Sequence, residues 1–310
     1  MKNSNLLTHK EIKILKNCNP SKLKNLFTKK TINKIDKNYG MSPFLWVCSR
    51  GKSPMRIIKH FISLGCDIHQ RVQYGIKSQM NAIHLVCESL NPKIKILEHL
   101  IALGVETKRK DSKHRTALHY VCKNGFLENH EKFAKALIET GVDINAPDYL
   151  GSTALLLCCQ FLPTNVPLIS LLLQIGANPN TCNSTNKQSP FNCICQKNIA
   201  PLSLLKMFLK FGSDVDSTTR NGWTPLMGVC TRNDLEIDFF LHFVKVAKTV
   251  SATNKQNTNS LHILSENPNS NLKLTLALIN AGCDLFQKDS FGKQPLHYLC
   301  KSLMSILKKD

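Results

Sequence analysis

The chain has 310 residues, 42% of them hydrophobic, and a formal net charge of +20 from 41 Lys and Arg against 21 Asp and Glu. That apolar content suffices to bury a large core, which excludes a disordered, charge-dominated chain. No apolar run reaches the ~20 residues of a membrane-spanning helix, and the first residues lack the apolar centre of a secretory signal, so the expected setting is the cytoplasm, with the nucleus as an alternative.

In chain order, residues 1–37 carry ten lysines against Glu11 and Asp36. Ile12, Ile14 and Leu15, then Leu23, Leu26 and Phe27, form two short amphipathic segments broken at Asn19-Pro20. The expectation over 1–35 is a basic helix pair that caps the remainder of the chain, its lysines forming the polar outer face a terminal element needs.

From Ser42 onward one pattern recurs about every 35 residues. Its clearest copies are Thr116-Ala117-Leu118-His119, Thr224-Pro225-Leu226-Met227 and Gln294-Pro295-Leu296-His297, with weaker ones starting at Ser42, Asn81, Thr153, Ser189 and Asn259. The distance from the Thr slot to a glycine is 23 residues for Gly65, Gly104, Gly176, Gly212 and Gly282, and 25 for Gly141. Thr, Ser or Asn suits the cap of a first helix, and Pro its first turn. The Leu slot faces neighbouring repeats. A second helix follows with apolar residues at helical period, as in Ile57, Ile58, Phe61, Ile62 and Leu64. Glycine then supplies a left-handed cap, and a β-turn finger such as Asp148-Tyr149-Leu150-Gly151 leads to the next copy. In the copy starting at Thr224 the glycine position holds Ala247, which predicts a strained, weak joint there. Pro163 and Pro167 are expected between the helices of the fourth copy.

This pattern resembles the T-P-L-H-x-A signature of ankyrin repeats over nearly the whole chain. The resemblance implies an all-α ankyrin-repeat solenoid of stacked helix-turn-helix pairs with β-turn fingers, covering 36–310 as seven repeats and a truncated C-terminal capping repeat. The last repeat's second helix is expected to be missing or reduced to 303–307, too short for an appended module. The resemblance also implies that His84, His119, His262 and His297 are hydrogen-bonding residues tying helix to turn, not acids, bases or metal ligands.

Seven of the thirteen cysteines (Cys48, Cys87, Cys122, Cys159, Cys195, Cys230 and Cys300) share one repeat slot, and Cys66 and Cys283 share another. Equivalent positions one repeat apart lie roughly 8–10 Å from each other, beyond disulfide reach. Reduced, buried thiols are therefore expected. Cys193-Ile194-Cys195 and Cys158-Cys159 lack a second pair at metal-ligand spacing. The chain shows no phosphate-binding loop, dinucleotide fingerprint or nucleophile elbow, so no cofactor, metal or catalysis is expected.

The function implied by the resemblance is a non-catalytic scaffold that binds another protein through its concave finger and first-helix face. Net charge favours an acidic partner surface. Two fingers stand out: 70–80, longer than the norm by four residues, and 108–115, the densest internal basic run. The candidate contact residues are Tyr39, Arg71, Tyr74, Lys108, Arg109, Lys110, His114, Tyr149, Trp223 and Phe291. The alternative is an electrostatic binder of nucleic acid or anionic lipid acting through the lysine-rich N-terminal third.

Overall fold

The slot pattern becomes structure through its caps. In the computed structural model, which describes residues 6–17, 22–23, 25–51 and 55–300, the side chains of Ser42, Thr153, Ser189 and Thr224 each accept the backbone N–H three residues on. Asn81, Thr116 and Asn259 form two-way boxes in which a histidine returns the bond to the cap's own N–H. Each such cap is worth about 1 kcal/mol to its helix. Pro43, Pro190 and Pro225 fill the first turn, where a missing N–H costs nothing.

The described residues fall into two compact units that meet in sequence between Tyr149 and Leu150. The first contains a helix at His9–Asn17 and three repeats. Their helix pairs are Pro43–Arg50 with Met55–Ser63, Ala82–Glu88 with Ile94–Ala102, and Ala117–Lys123 with His130–Ile138. The second contains four pairs: Ala154–Phe161 with Val166–Gln174, Pro190–Cys195 with Leu202–Lys210, Pro225–Cys230 with Ile237–Val246, and Ser260–Glu266 with Leu272–Asn280. Residues 295–300 begin an eighth first helix. Pro167 lies inside the second helix of repeat four rather than before it, in the first turn, where proline is tolerated. The expected break at 19–20 and the expected short helix at 303–307 lie outside the described residues.

Most first helices are buried over most of their length. Every residue from Ala117 to Cys122 is buried, because second helices, fingers and neighbouring first helices enclose them. Second helices bury one face only, as Ile96, Leu97 and Leu100 do. The Leu slot is solvent-free from Phe44 to Leu261, whereas Leu296, in the last described helix, is 57% exposed. Phe191 packs against Phe208 at 5.8 Å and Phe243 at 6.0 Å between ring centres, joining repeats five and six. Truncating such a residue costs about 3–5 kcal/mol.

Gly65, Gly104, Gly141, Gly176, Gly212 and Gly282 all have positive φ, as the spacing predicted. Ala247 does not. Its φ of −75° and ψ of 129° are extended, so no strain is stored at that joint. The helix simply ends at Val246, and the next two N–H groups, of Lys248 and Thr249, both donate to Asp216 Oδ1 at 2.8 and 2.9 Å. A carboxylate from the preceding finger replaces the glycine cap.

Fingers are joined through main-chain atoms. In the first unit Gln73 N–H donates to Gly40 O, Ser112 N–H to Ser78 O, and Tyr149 N–H to Lys113 O. In the second, Ser184 N–H donates to Leu150 O, Arg220 to Asn186, Lys255 to Asn221 and Ser290 to Gln256. Four of the fingers also turn about one buried polar side chain. Asp111 Oδ1 accepts the N–H groups of Lys113 and Arg115, and Asn183, Asn254 and Asp289 act alike.

Candidate partner-binding surface

The histidines are occupied by the frame. His84 Nδ1 accepts the Asn81 N–H, which leaves its Nε2 proton for the carbonyl of Arg115, 3.1 Å away in the next finger. His262 does the same between Asn259 and Lys293. Burial holds the His84 imidazole below its ordinary pKa, partly opposed by the nearby Asp111 carboxylate. In repeat five Asn192 takes the histidine's place and donates to Trp223 O at 3.2 Å. Among the described residues no group of three or more His, Cys, Asp or Glu is placed to hold a metal ion.

The cysteines are frame residues as well. Cys48, Cys87, Cys195 and Cys230 are buried, unbridged thiols, and burial pushes the pKa of each upward. Cys182 and Cys300 are exposed, although Cys300 holds the slot that is buried in earlier repeats.

Within the first unit the structure places eight of the proposed contact residues. Tyr39 is 42% exposed and meets Trp46 edge-on at 5.7 Å. Tyr74 lies over the preceding finger and shares its one hydroxyl proton between Asp36 O and Lys37 O. Arg71 bonds Gln79 Oε1, and Arg109 pairs with Glu106 at 3.0 Å. Lys108, Lys110 and His114 are exposed, and His114 takes the left-handed corner of its finger at φ 57°. Tyr149 is 57% exposed at the tip of the last finger of this unit. In the second unit Phe291 stands in solvent, while Trp223 is half-buried beside a cleft walled by uncharged side chains, among them Asn186, Gln196 and Thr231.

Sequence reasoning missed where apolar and basic groups converge. A groove of about 290 Å³ opens between the fingers and first helices of repeats two and three. Ile76 reaches it from the long finger, and Leu90 and Phe126 from the loops after the two first helices. Lys77, Lys113, Arg115 and Lys123 also line it, against Glu88 as the lining acid. Glu88 is bound to Lys77 at 2.5 Å, and Arg115 Nε to the buried Asp148 at 3.2 Å. The floor is Tyr120, whose hydroxyl donates to Asp111 Oδ2. Burial and the positive charges of Arg115 and Lys113 hold the Lys123 ammonium below its ordinary pKa. The available signal was modest: Leu90 and Phe126 are apolar residues out of register with either helix.

A family model described as "Ankyrin repeats (3 copies)" matches residues 83–183. The crystal structure of the human ASB11 ankyrin repeat domain superposes with a TM-score of 0.55 at 21% identity, covering 73% of this chain and 97% of that one. Ankyrin repeat protein OPG189 of Variola virus is 26% identical over 193 residues, 61% of this chain and 32% of that protein. Protein lin-12 of Caenorhabditis elegans is 29% identical over 122 residues, 38% of this chain and 8% of that protein. The chain thus spans a third or less of these two relatives' lengths. Residues 83–183 thus match ankyrin repeats, and the same helix-pair pattern continues on both sides of that segment in an ankyrin-repeat fold. Ankyrin repeats are in general protein-interaction modules, and no helix among the described residues is long and apolar enough to cross a membrane.

Proposed function

We propose that this chain is a non-catalytic scaffold that binds a partner protein with an acidic surface through its finger and first-helix face. The observation that carries the reading is the groove of repeats two and three. There, three exposed apolar side chains and four cationic ones share one surface while the polar groups of the frame are internally bonded. Exposed apolar residues with a polar rim mark interaction sites. Residues 1–35 serve as the cap of the first repeat, supported by the edge-on contact of Phe27 with Phe61 at 5.7 Å and by the burial of Leu15 and Leu23. The buried, unbridged thiols suit a reducing compartment, the cytoplasm or nucleus.

Affinity capture with the intact chain tests this. A scaffold returns a discrete set of proteins after nuclease treatment, and a Tyr149→Ala/Trp223→Ala variant with unchanged circular dichroism returns fewer of them. Capture that disappears with nuclease, or that ignores every substitution on the finger face, overturns the reading.

A further inference from the structure

The groove specifies what kind of partner segment it takes. Its apolar part is small. Ile76, Leu90 and Phe126 are 80%, 67% and 65% exposed, and they stand on three separate pieces of chain around one opening. About 290 Å³ lies at the lower end of ligand-pocket sizes. That is room for one anchoring side chain and its flanks, not for the face of a folded domain. The Tyr120 hydroxyl has no proton left to donate to a ligand, because it is committed to Asp111.

The rim is predominantly cationic, with Lys77, Lys113, Arg115 and Lys123 against Glu88. Asp111 and Asp148 lie behind the lining, where backbone N–H groups, Tyr120 and Arg115 saturate them. Glu88 is taken by Lys77. Burial first, and then the positive charges of Arg115 and Lys113, disfavour charge on Lys123. An incoming carboxylate relieves that repulsion, whereas an incoming cation adds to it. A phosphate backbone satisfies the charge but leaves the three apolar side chains without a partner.

We infer that this groove holds an extended acidic segment of a partner protein, with one aliphatic or aromatic anchor seated on Ile76, Leu90 and Phe126 and flanking carboxylates facing Lys113 and Lys123. The inference rests on the scaffold reading and narrows it to a site and a ligand chemistry. An extended segment suits the opening because its apolar and cationic side chains stand on separate pieces of chain around it.

The test uses the intact chain and short synthetic peptides in fluorescence anisotropy. One peptide carries a central Phe among Asp and Glu, a second replaces the Phe with Ala, and a third replaces the acids with Lys. Random-sequence single-stranded DNA is the fourth probe. The acidic Phe peptide is expected to bind, and the Ala peptide about tenfold more weakly. Leu90→Ala and Phe126→Ala should each weaken the acidic Phe peptide about tenfold, and Lys113→Glu with Lys123→Glu at least as much. Leu272→Ala, an exposed apolar residue of the other unit, should change nothing. These positions are on the surface, so circular dichroism should stay unchanged. Binding of the lysine peptide as tightly as the acidic one overturns the inference. So does indifference to Phe126→Ala, the absence of any peptide binding, or DNA binding that depends on these residues. If peptides fail while captured proteins still depend on Tyr149 and Trp223, the groove assignment falls and the scaffold reading stands. If both fail, both fall.

Discussion

The Tyr74 hydroxyl donates to the main-chain carbonyl of Asp36, 2.9 Å away and 38 residues earlier in the chain. The same proton is shared with Lys37 O, 2.8 Å away, in a three-centre arrangement. Tyr74 therefore pins the long finger of repeat two onto the finger of repeat one. Tyr74→Phe should lower stability by about 1 kcal/mol. Hydrogen exchange should rise at 37–40 and 73–79, with little change in repeat three. Unaltered exchange in those fingers would remove Tyr74 from the frame.

Arg232 is fully buried and donates to the carbonyls of Lys197 and Ala200 in the preceding repeat, at 2.9 and 2.5 Å, and to Asp234. It occupies the slot of Asn124 and Asn267, eight residues after the Thr position, and both asparagines also reach back to carbonyls of the preceding repeat. Arg232→Met leaves those carbonyls without a donor and should cost about 2–3 kcal/mol in urea unfolding. Arg232→Asn should recover about 1 kcal/mol of this, because the shorter amide reproduces the bond made in repeats three and seven. Equal losses for the two variants would mean that packing volume, not donation, is what the slot requires.

Ala247→Gly should destabilise the chain by roughly 0.5–1 kcal/mol, since glycine adds freedom to the unfolded chain and relieves nothing in an extended residue. The opposite sign, a gain in urea midpoint, would place Ala247 in the left-handed region. Asp216→Ala is the stronger perturbation, because it removes the acceptor for two N–H groups and the Thr249 hydroxyl.

Titration acts at both ends of the pH scale. The folded chain holds His84 and His130 below the ordinary value of 6.5, chiefly by burial. A depressed histidine stabilises the fold above its unfolded pKa, and that stability is lost as pH falls below about 6.5. Cys66 is pushed up to about 12, and Cys193 and Cys283 to about 11, mainly by burial, from 9.0. Raised thiols contribute fully below about pH 9, and their contribution fades as pH climbs toward 11–12. Urea midpoints should therefore decline on both sides of a plateau, and Cys193→Ala should shallow the alkaline decline alone. In labelling at neutral pH, Cys182 and Cys300 should react quickly, and Cys48, Cys87, Cys195 and Cys230 only on unfolding. A thermal midpoint that falls on adding reductant would contradict the unbridged state.

The repeat frame was legible because its slots are set by local chemistry. A Thr or Asn cap, a glycine at positive φ and an apolar helical face each leave a mark at fixed spacing. What escaped were the residues that act between repeats. Asn124 and Arg232, eight positions after Thr116 and Thr224, reach carbonyls of the preceding repeat through geometry that exists only once repeats stack. The Ala247 expectation failed for the same reason: the substitute cap, Asp216, lies 31 residues upstream in another finger. Leu90 and Phe126 sit in loops, where no period distinguishes a surface anchor from a bystander, so the groove emerged only from the assembled first unit.

Within each unit every rung of the finger ladder includes an N–H to carbonyl bond, to which a few side chains, such as Tyr74 and Arg220, add a second. Substitution at a tip such as Tyr149 or Phe291 therefore leaves the rungs intact, while the buried turn residues Asp111, Asp148 and Asp289 keep each tip at its height. Recognition and architecture are thus encoded by separate alphabets in the same few residues. A library randomised at exposed tip positions, with the turn acids untouched, should return folded proteins at high frequency and new specificities among them.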